Sequence, residues 1–221
     1  MNLQEAIKVR HTVRTYSGKP IEGDNLTTLQ EMIADVNKEG KLRIQLVNGV
    51  EGAFSKFIIH YGKWDNVTNY IALIGKDTPD LDQKCGYYGE KLALWALTAG
   101  LKSGWLDTQN GHEVPEIEIA DGERLVCCIA IGESEQNGTG PKLKPIEERC
   151  EVDGEAPDWF WSGMEYARLA PTAGNQQLWK IVWDGANVSV KSEPGFLEKV
   201  DMGIAQYHFE LGSGKDHSIW K

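Results

Sequence analysis

Leu26, Leu29, Met32, Ile33 and Val36 recur at the three- and four-residue spacing that lines one face of a helix, after Asp24. Gly40 stands where such a helix would take its C-terminal cap, so the pattern predicts a helix over about 24–40. Ahead of it, Asn2 and Glu5 have capping-box spacing, and Leu3, Ala6 and Ile7 form a short apolar stripe. A first helix is therefore expected to reach about Arg10. From His11 to Tyr16 the Thr and Val content favours an extended or irregular path, closed by Ser17-Gly18-Lys19-Pro20. Leu42, Ile44 and Leu46 alternate with Arg43 and Gln45, the period of a strand with one wet face, and Asn48-Gly49 offers a turn.

Two continuous apolar runs, Tyr70 to Ile74 before Gly75 and Arg124 to Ile131 before Gly132, predict strands covered on both faces. Between them, Gly89 to Leu101 is apolar nearly all round, the pattern of a helix buried in the molecule. Ser134 to Pro141 is polar and Gly-rich, and places a boundary between a first part, 1–140, and a second, 141–221. The second part reads as a helix from Pro157 to Ala170 stopped by Pro171, a hairpin of Trp179–Trp183 and Val188–Val190 about Asp184-Gly185, and a final helix from Val200 to Leu211. Its order echoes the front of the chain. Met32 followed by Ile44–Gly49 parallels Met164 followed by Ile181–Gly185, and Gly89-Glu90 leading to Trp105 parallels Gly203-Ile204 leading to Trp220. Duplication would produce this echo, and so would a common helix-strand-turn-helix order without shared ancestry.

Composition narrows the partners. The 221 residues suffice for a real core, and 23 basic against 33 acidic residues leave a net charge of -10, which repels phosphate backbones and anionic lipid. Nucleic acid and membranes are thereby set aside. The N-terminus has no secretory pattern and no window reaches the length of a membrane span, so the expected compartment is the cytoplasm. Cys85, Cys127, Cys128 and Cys150 show no metal-site spacing and read as reduced packing residues, and His60, His112, His208 and His217 lack helical metal-site partners; no metal is expected. Gly212-Ser213-Gly214-Lys215 is followed by Asp216 where a phosphate loop needs Ser or Thr. Trp159, Phe160 and Trp161 read as core anchors, or as a lid or interface.

Two islands could carry chemistry. Arg10, His11, Thr12 and Arg14 concentrate cations and a hydroxyl near a helix end in an acidic chain; they form either a site for an anion or a solvated face salt-bridged to carboxylates. Ala170-Pro171-Thr172-Ala173-Gly174-Asn175-Gln176-Gln177-Leu178-Trp179 joins small residues to three amides. Amides donate and accept together, so this loop could read a flat polar edge, although a plain helix-to-strand connector would use the same residues.

Lys8-Val-Arg-His-Thr-Val-Arg-Thr-Tyr16 resembles the Arg-rich N-terminal signature of FMN-dependent nitroreductases, and Ala170 to Trp179 resembles their Pro-Ser/Thr-x-x-Asn-x-Gln loop. Asn69 to Gly75, Gly86 to Leu94 and Gly100 to Trp105 resemble the strand, core helix and flavin-adjacent turn of a nitroreductase subgroup built from two half-repeats. The resemblance implies an α+β nitroreductase-like fold, with an antiparallel-rich central sheet flanked by helices and the two halves forming a pseudo-dimer in one chain. It implies FMN as cofactor, with NAD(P)H and a small nitro, quinone or similar acceptor as partners, in a monomeric pseudo-dimer or weak homo-oligomer.

Residue by residue, it puts Arg10 and Thr12 on the FMN phosphate and ribityl chain, His11 beside them, and Arg14 near the pyrimidine N1/O2 edge. Lys142 and Lys144 match a basic pair used against the phosphate. Pro171, Thr172, Asn175 and Gln177 would line the isoalloxazine, and Gly104 and Trp105 lead a segment to Thr108 that passes the ring. No side chain is needed as a catalytic nucleophile. Ser103-Gly104-Trp105-Leu106-Asp107-Thr108 departs from the family turn, and Asp107 would oppose a reduced flavin anion; Leu178 replaces a common proline. A non-catalytic flavin-binding or interaction protein that keeps the fold is the alternative, and a hydrolase lacks any Ser-His-Asp constellation.

Overall fold

The structure is a computed structural model that describes residues 1–54, 63–108 and 114–221; His60 and His112 fall outside them. The chain forms two compact units. One holds Arg10–Leu81 and Leu92–Thr139, the other Met1–Val9, Asp82–Lys91 and Gly140–Lys221. The division at 139/140 falls inside the Gly-rich segment, but two earlier pieces of chain join the C-terminal part.

In the first unit, α2 (Gly23–Gly40) buries Leu29, Ile33 and Val36 on one face, as their spacing requires. Its left-handed residue is Lys41 (φ 53), one position later than the glycine expectation, and the Lys41 N–H donates to Asn37 O. The Asn37 side chain then exchanges two hydrogen bonds with the Ile44 backbone, 2.7 and 2.9 Å, which aims the chain into β1 (Gln45–Val47). With β2 (Tyr70–Lys76), β3 (Lys102–Leu106) and β4 (Glu123–Gly132) it makes a four-stranded sheet in the order β1-β2-β4-β3, antiparallel throughout. A register shift between Leu73 and Ile74 interrupts the β2–β4 pairing. Tyr70, Ala72, Ile74, Cys128 and Ala130 pack into a cluster with Val13, Tyr16, Phe54 and Leu106. Ile71, Leu73, Cys127 and Ile129, which alternate with them, are equally buried, so both faces of the central strands are covered, as the continuous apolar runs predict. β3 differs from expectation: a stretch read as a turn is an edge strand, its residues Gly104 and Trp105 paired with Ala130 and Ile129.

In the second unit, α1 (Leu3–Val9) starts on the expected capping box. The Asn2 N–H donates to Glu5 Oε2 at 2.9 Å and the Glu5 N–H to Asn2 Oδ1 at 2.8 Å. A mixed sheet joins β5 (Cys150–Val152) parallel to β6 (Trp179–Trp183), which pairs antiparallel with β7 (Val188–Ser192). α4 (Asp158–Ala167) and α5 (Glu198–Ser213) pack on each other. Phe160, Phe209 and Trp183 form an edge-on and tilted aromatic core with Trp159, so Phe160 is an anchor while Trp161 remains 39% exposed.

Helix α3 spans Leu81–Thr98, eight residues longer at its start than the apolar run suggests. Its first half belongs to the second unit, where it crosses α5 at two glycines. A Cβ on Gly86 would lie 2.0 Å from Val200 O, and one on Gly203 would lie 1.9 Å from Gln83 O. The two backbones are thus in direct contact, which only glycine permits. Below the crossing, Gln83 Nε2 donates to Gln206 Oε1 at 2.7 Å, and fully buried His208 and Glu90 approach at 2.8 Å. Buried Glu210 accepts from Tyr87 OH at 2.6 Å and from Trp220 Nε1 at 2.6 Å, and lies 2.9 Å from His217 Nδ1. The C-terminal tail is thereby tied to α5, and its end pairs with β7 as Lys221 N–H donates to Val188 O.

Candidate functional site

The first unit brings the N-terminal island against the β3 edge. Residues 10–16 form an extended arm in which Val13 N–H donates to Ser103 O (3.1 Å) and Tyr16 N–H to Asp65 O (3.1 Å), while Asp65 N–H donates to Arg14 O (2.9 Å). Gly104 makes that approach possible. A Cβ there would sit 2.6 Å from Val13 O and 2.7 Å from the Trp64 ring. Gly138 does the same on the other flank, where a Cβ would meet Thr12 O at 2.7 Å and His11 Cβ at 2.8 Å. Tyr16 anchors the arm by donating its hydroxyl to Val13 O at 3.0 Å, and burial pushes that phenol far above its ordinary range.

Arg10, His11, Thr12, Arg14 and Gly104 are therefore neighbours on one unit, with Trp105 next along β3. Arg10 is buried at 5% exposure, whereas Arg14 is exposed and lies over the Trp64 ring, 5.6 Å from its centroid. Trp64 is the member that sequence reasoning missed; a lone Trp between Lys63 and Asp65 carries no pattern. Its Nε1 and His11 Nδ1 are buried nitrogens with no hydrogen-bond partner among the described residues.

The second unit gathers Lys142, Lys144, Pro171, Thr172, Asn175 and Gln177. The loop after α4 turns through left-handed backbone at Gly174 (φ 56), Asn175 (φ 55) and Gln177 (φ 50), a conformation uncommon in residues with side chains. Gln177, 2% exposed, is what holds it. Its Nε2 donates to Lys142 O (2.9 Å) and Asn175 Oδ1 (3.1 Å), its Oε1 accepts from Lys144 N–H (2.9 Å), and its own N–H donates to Thr172 Oγ1 (3.1 Å). Asn175 Nδ2 also donates to Lys142 O at 2.9 Å. Two cations then hold the carbonyls: Lys144 Nζ donates to Gln176 O at 2.7 Å, and Arg149 Nη1 to Gln177 O. Gln177 thus binds the loop to the 142–144 segment, and its amide is already engaged at both ends.

Asp201, in the first turn of α5, closes the loop from below. Both carboxyl oxygens accept from Ala173 N–H, at 3.0 and 3.2 Å. Burial pushes this carboxyl up to about 8, opposed by the Ala173 hydrogen bond and assisted by nearby Glu198. Arg149 and Asp201, two nearly enclosed ionisable residues, lie outside every sequence motif; burial alone marks them.

Burial pushes the Cys128 thiol far up, which leaves it a packing residue, and all four cysteines are free. Gly212 to Lys215 end α5, with Gly214 (φ 67) as its left-handed cap. No helix among the described residues is long and apolar enough to cross a membrane.

Comparison with known proteins identifies the family and the fold. Residues 2–213 match the family model described as Putative TM nitroreductase. The fold resembles that of a putative nitroreductase from Thermotoga maritima at a TM-score of 0.67, with 25% identity over 96% of this chain and 83% of that one. It also resembles a nitroreductase-like family protein from Bacillus cereus (TM-score 0.52, 19% identity, 72% of this chain and 97% of that one). A third likeness is to a putative NADH dehydrogenase/NAD(P)H nitroreductase from Parabacteroides distasonis (TM-score 0.53, 16% identity, 67% and 96%). No curated protein matches. An α+β chain with an antiparallel four-stranded sheet, the Arg-rich arm laid on it and a family match over nearly its whole length has the nitroreductase-like fold, and this protein belongs to the Putative TM nitroreductase family.

Proposed function

We propose that the protein is an FMN-dependent oxidoreductase that uses NAD(P)H to reduce a nitro, quinone or similar small acceptor. The observation that carries this reading is the family match over residues 2–213, joined to the arm geometry, in which Gly104 and Gly138 let residues 11–14 lie against the β3 edge. The residues present fit the cofactor. The buried Trp64 Nε1 is a donor without an acceptor, and His11 Nδ1, donor or acceptor according to tautomer, is likewise without a partner among the described residues. The printed name of the Parabacteroides neighbour supports a nicotinamide donor.

In this reading Arg10 and Thr12 would hold the phosphate and ribityl chain, with His11 beside them. Bound FMN supplies hydride acceptance and donation, so no protein nucleophile is required. The Arg14 guanidinium would lie near the pyrimidine edge, where it would stabilise the negative charge of a reduced flavin. Gly104 and Trp105, on β3, fix a rigid wall, and Pro171, Thr172 and Asn175 present a loop whose left-handed turns are set in advance of binding. Gln177 serves this function from inside the loop. A structure of two half-repeats is part of the same reading. Gly86 meets Val200, three residues before Gly203, and Gly203 meets Gln83, three residues before Gly86, the reciprocity expected of helices related by a two-fold axis.

Purification and stopped-flow spectroscopy test the proposal. The protein should retain a yellow flavin through desalting, lose the colour with NADH or NADPH, and regain it with a nitroaromatic or quinone. Colourless protein that takes up no added FMN refutes the flavin assignment. A yellow protein that neither donor bleaches leaves a flavin-binding protein and refutes the enzyme.

A further inference from the structure

Arg14 is an exposed cation on a fixed stretch of main chain. Residues 14–16 run beside Asp65: the Asp65 N–H donates to Arg14 O at 2.9 Å, the Tyr16 N–H donates to Asp65 O at 3.1 Å, and Thr15 and Asp65 form a parallel bridge. That register brings position 14 beside position 64, and the guanidinium carbon lies 5.6 Å from the Trp64 ring centroid. The indole in turn rests on β3, where a Cβ on Gly104 would come within 2.7 Å of its Cη2 and 2.9 Å of its Cζ3. Trp64 is half-buried and its Nε1 has no hydrogen-bond partner among the described residues, so packing, Gly104 included, orients the ring and its N–H does not.

What this support leaves out is a counter-charge. Arg14 has no ion pair among the described residues, and the carboxylate of the flanking segment, Asp65, is taken by Lys63 at 2.8 Å. By contrast Arg43 is held by Glu118 and Glu123, Arg124 by Asp77 and Arg168 by Glu165. A carboxylate fixes a guanidinium but largely cancels its field, whereas an aromatic face attracts it through the ring quadrupole and leaves its charge in place. An unheld arginine side chain is rotamer-rich, and ordering it costs entropy when a ligand binds. We propose that Trp64 is a positioning residue whose ring face holds the Arg14 guanidinium in one orientation without neutralising it, keeping that charge for the reduced form of the bound flavin. The flavin half rests on the reading of Arg14 given above, and the stack rests on the geometry alone.

Two measurements separate the halves. In arginine side-chain NMR of the full chain, the Arg14 Nε–H, assigned by its loss in Arg14→Lys, should be shifted upfield by the ring current. Trp64→Leu should abolish that shift and Trp64→Phe keep most of it. Redox titration with FMN gives the ratio of dissociation constants for reduced and oxidised flavin, which reads the charge. Trp64→Leu should raise this ratio about three- to tenfold, a fall in potential of about 15–30 mV at about 30 mV per tenfold for a two-electron couple. Trp64→Phe, which keeps an aromatic face and loses the N–H, should hold the ratio within twofold. In an Arg14→Ala background Trp64→Leu should change it by less than twofold, because no guanidinium is left to hold. An Arg14 proton without the upfield shift overturns the stack, and that result needs no variant of Trp64 to fold. An equal change from Trp64→Leu with and without Arg14 makes Trp64 a packing residue and overturns its positioning role. If Arg14→Ala lowers the potential and Trp64→Leu does not, the role of Trp64 is refuted while the assignment of Arg14 stands. If neither variant moves the potential, or no flavin binds, the flavin half falls with that assignment, and the NMR shift still decides the stack.

Discussion

Replacing Asp201 by Asn removes an ionisable group while leaving an oxygen to accept the Ala173 N–H. The wild-type carboxyl is 2% exposed and accepts only from that donor, at 3.0 and 3.2 Å, so the folded chain holds its proton up to about pH 8, whereas an unconstrained aspartate releases it near 3.8. The folded pKa is the higher one. Folding therefore takes up a proton between these limits, and the stability present below pH 4 is lost progressively as the pH rises through 8. At 1.36 kcal/mol per pH unit the full loss is of order 5 kcal/mol. The introduced amide has two N–H donors that need partners, which cost about 1–3 kcal/mol if unmet. Asp201→Asn should thus be more stable than wild type by about 2–4 kcal/mol at pH 8.5, a rise in melting temperature on the order of 4–16 °C for a chain of this size. At pH 4 that advantage should disappear. Urea titrations followed by fluorescence at pH 4, 6 and 8.5 measure both slopes. If the two proteins keep parallel stability curves across that range, Asp201 is ionised in the folded chain and the reasoning is wrong.

Other outcomes follow from the same contacts. Gly203→Ala puts a methyl group 1.9 Å from Gln83 O, so α3 and α5 must move apart, and a loss of at least about 2 kcal/mol is expected in the denaturant midpoint; an unchanged midpoint would contradict the crossing. Glu210→Ala strands Tyr87 OH and Trp220 Nε1 and should cost about 2–4 kcal/mol, with faster cleavage of the last residues by carboxypeptidase. Protection of the tail equal to wild type would show that β7 pairing suffices. Under the proposed function, Arg14→Ala should lower the reduction potential of bound flavin by tens of millivolts, and an unaltered redox titration removes Arg14 from the pyrimidine edge.

What the sequence made legible was whatever depends on neighbours a few residues away. The Asn2–Glu5 box, the stripe on α2 and the apolar runs of β2 and β4 are all local, and each appears in the structure where its spacing puts it. The start of α3 was illegible because Leu81 to Tyr88 mixes charges, a glycine and two tyrosines, and becomes helical against α5, 120 residues away in the chain by order of magnitude. The resemblance makes Gly100 to Trp105 a turn, yet Gly104 admits Val13 and Trp64 to a strand, a contact between distant segments that no local pattern announces. β5 has three residues and no period at all. In the site, residue types pointed to the two islands, but not to how they work. An amide in a polar loop suggests a ligand, and only the bonds of Gln177 show that its side chain ties the loop together. Arg149 lies in a charged stretch, Glu147-Glu148-Arg149, that looks solvated until its burial is seen.

The make-up of the second unit bears on how the chain is born. Met1–Val9 and Asp82–Lys91 leave the ribosome long before α4 and α5, the helices that complete their unit. The apolar side of α1 and the bare backbone at Gly86 must wait until α4 and α5 have been made, while the intervening four-stranded unit has all its residues by Thr139. Synthesis should therefore proceed through a species with a finished sheet and two orphaned helical segments, and a chain released early, near residue 140, should be a client for chaperones rather than a half-protein.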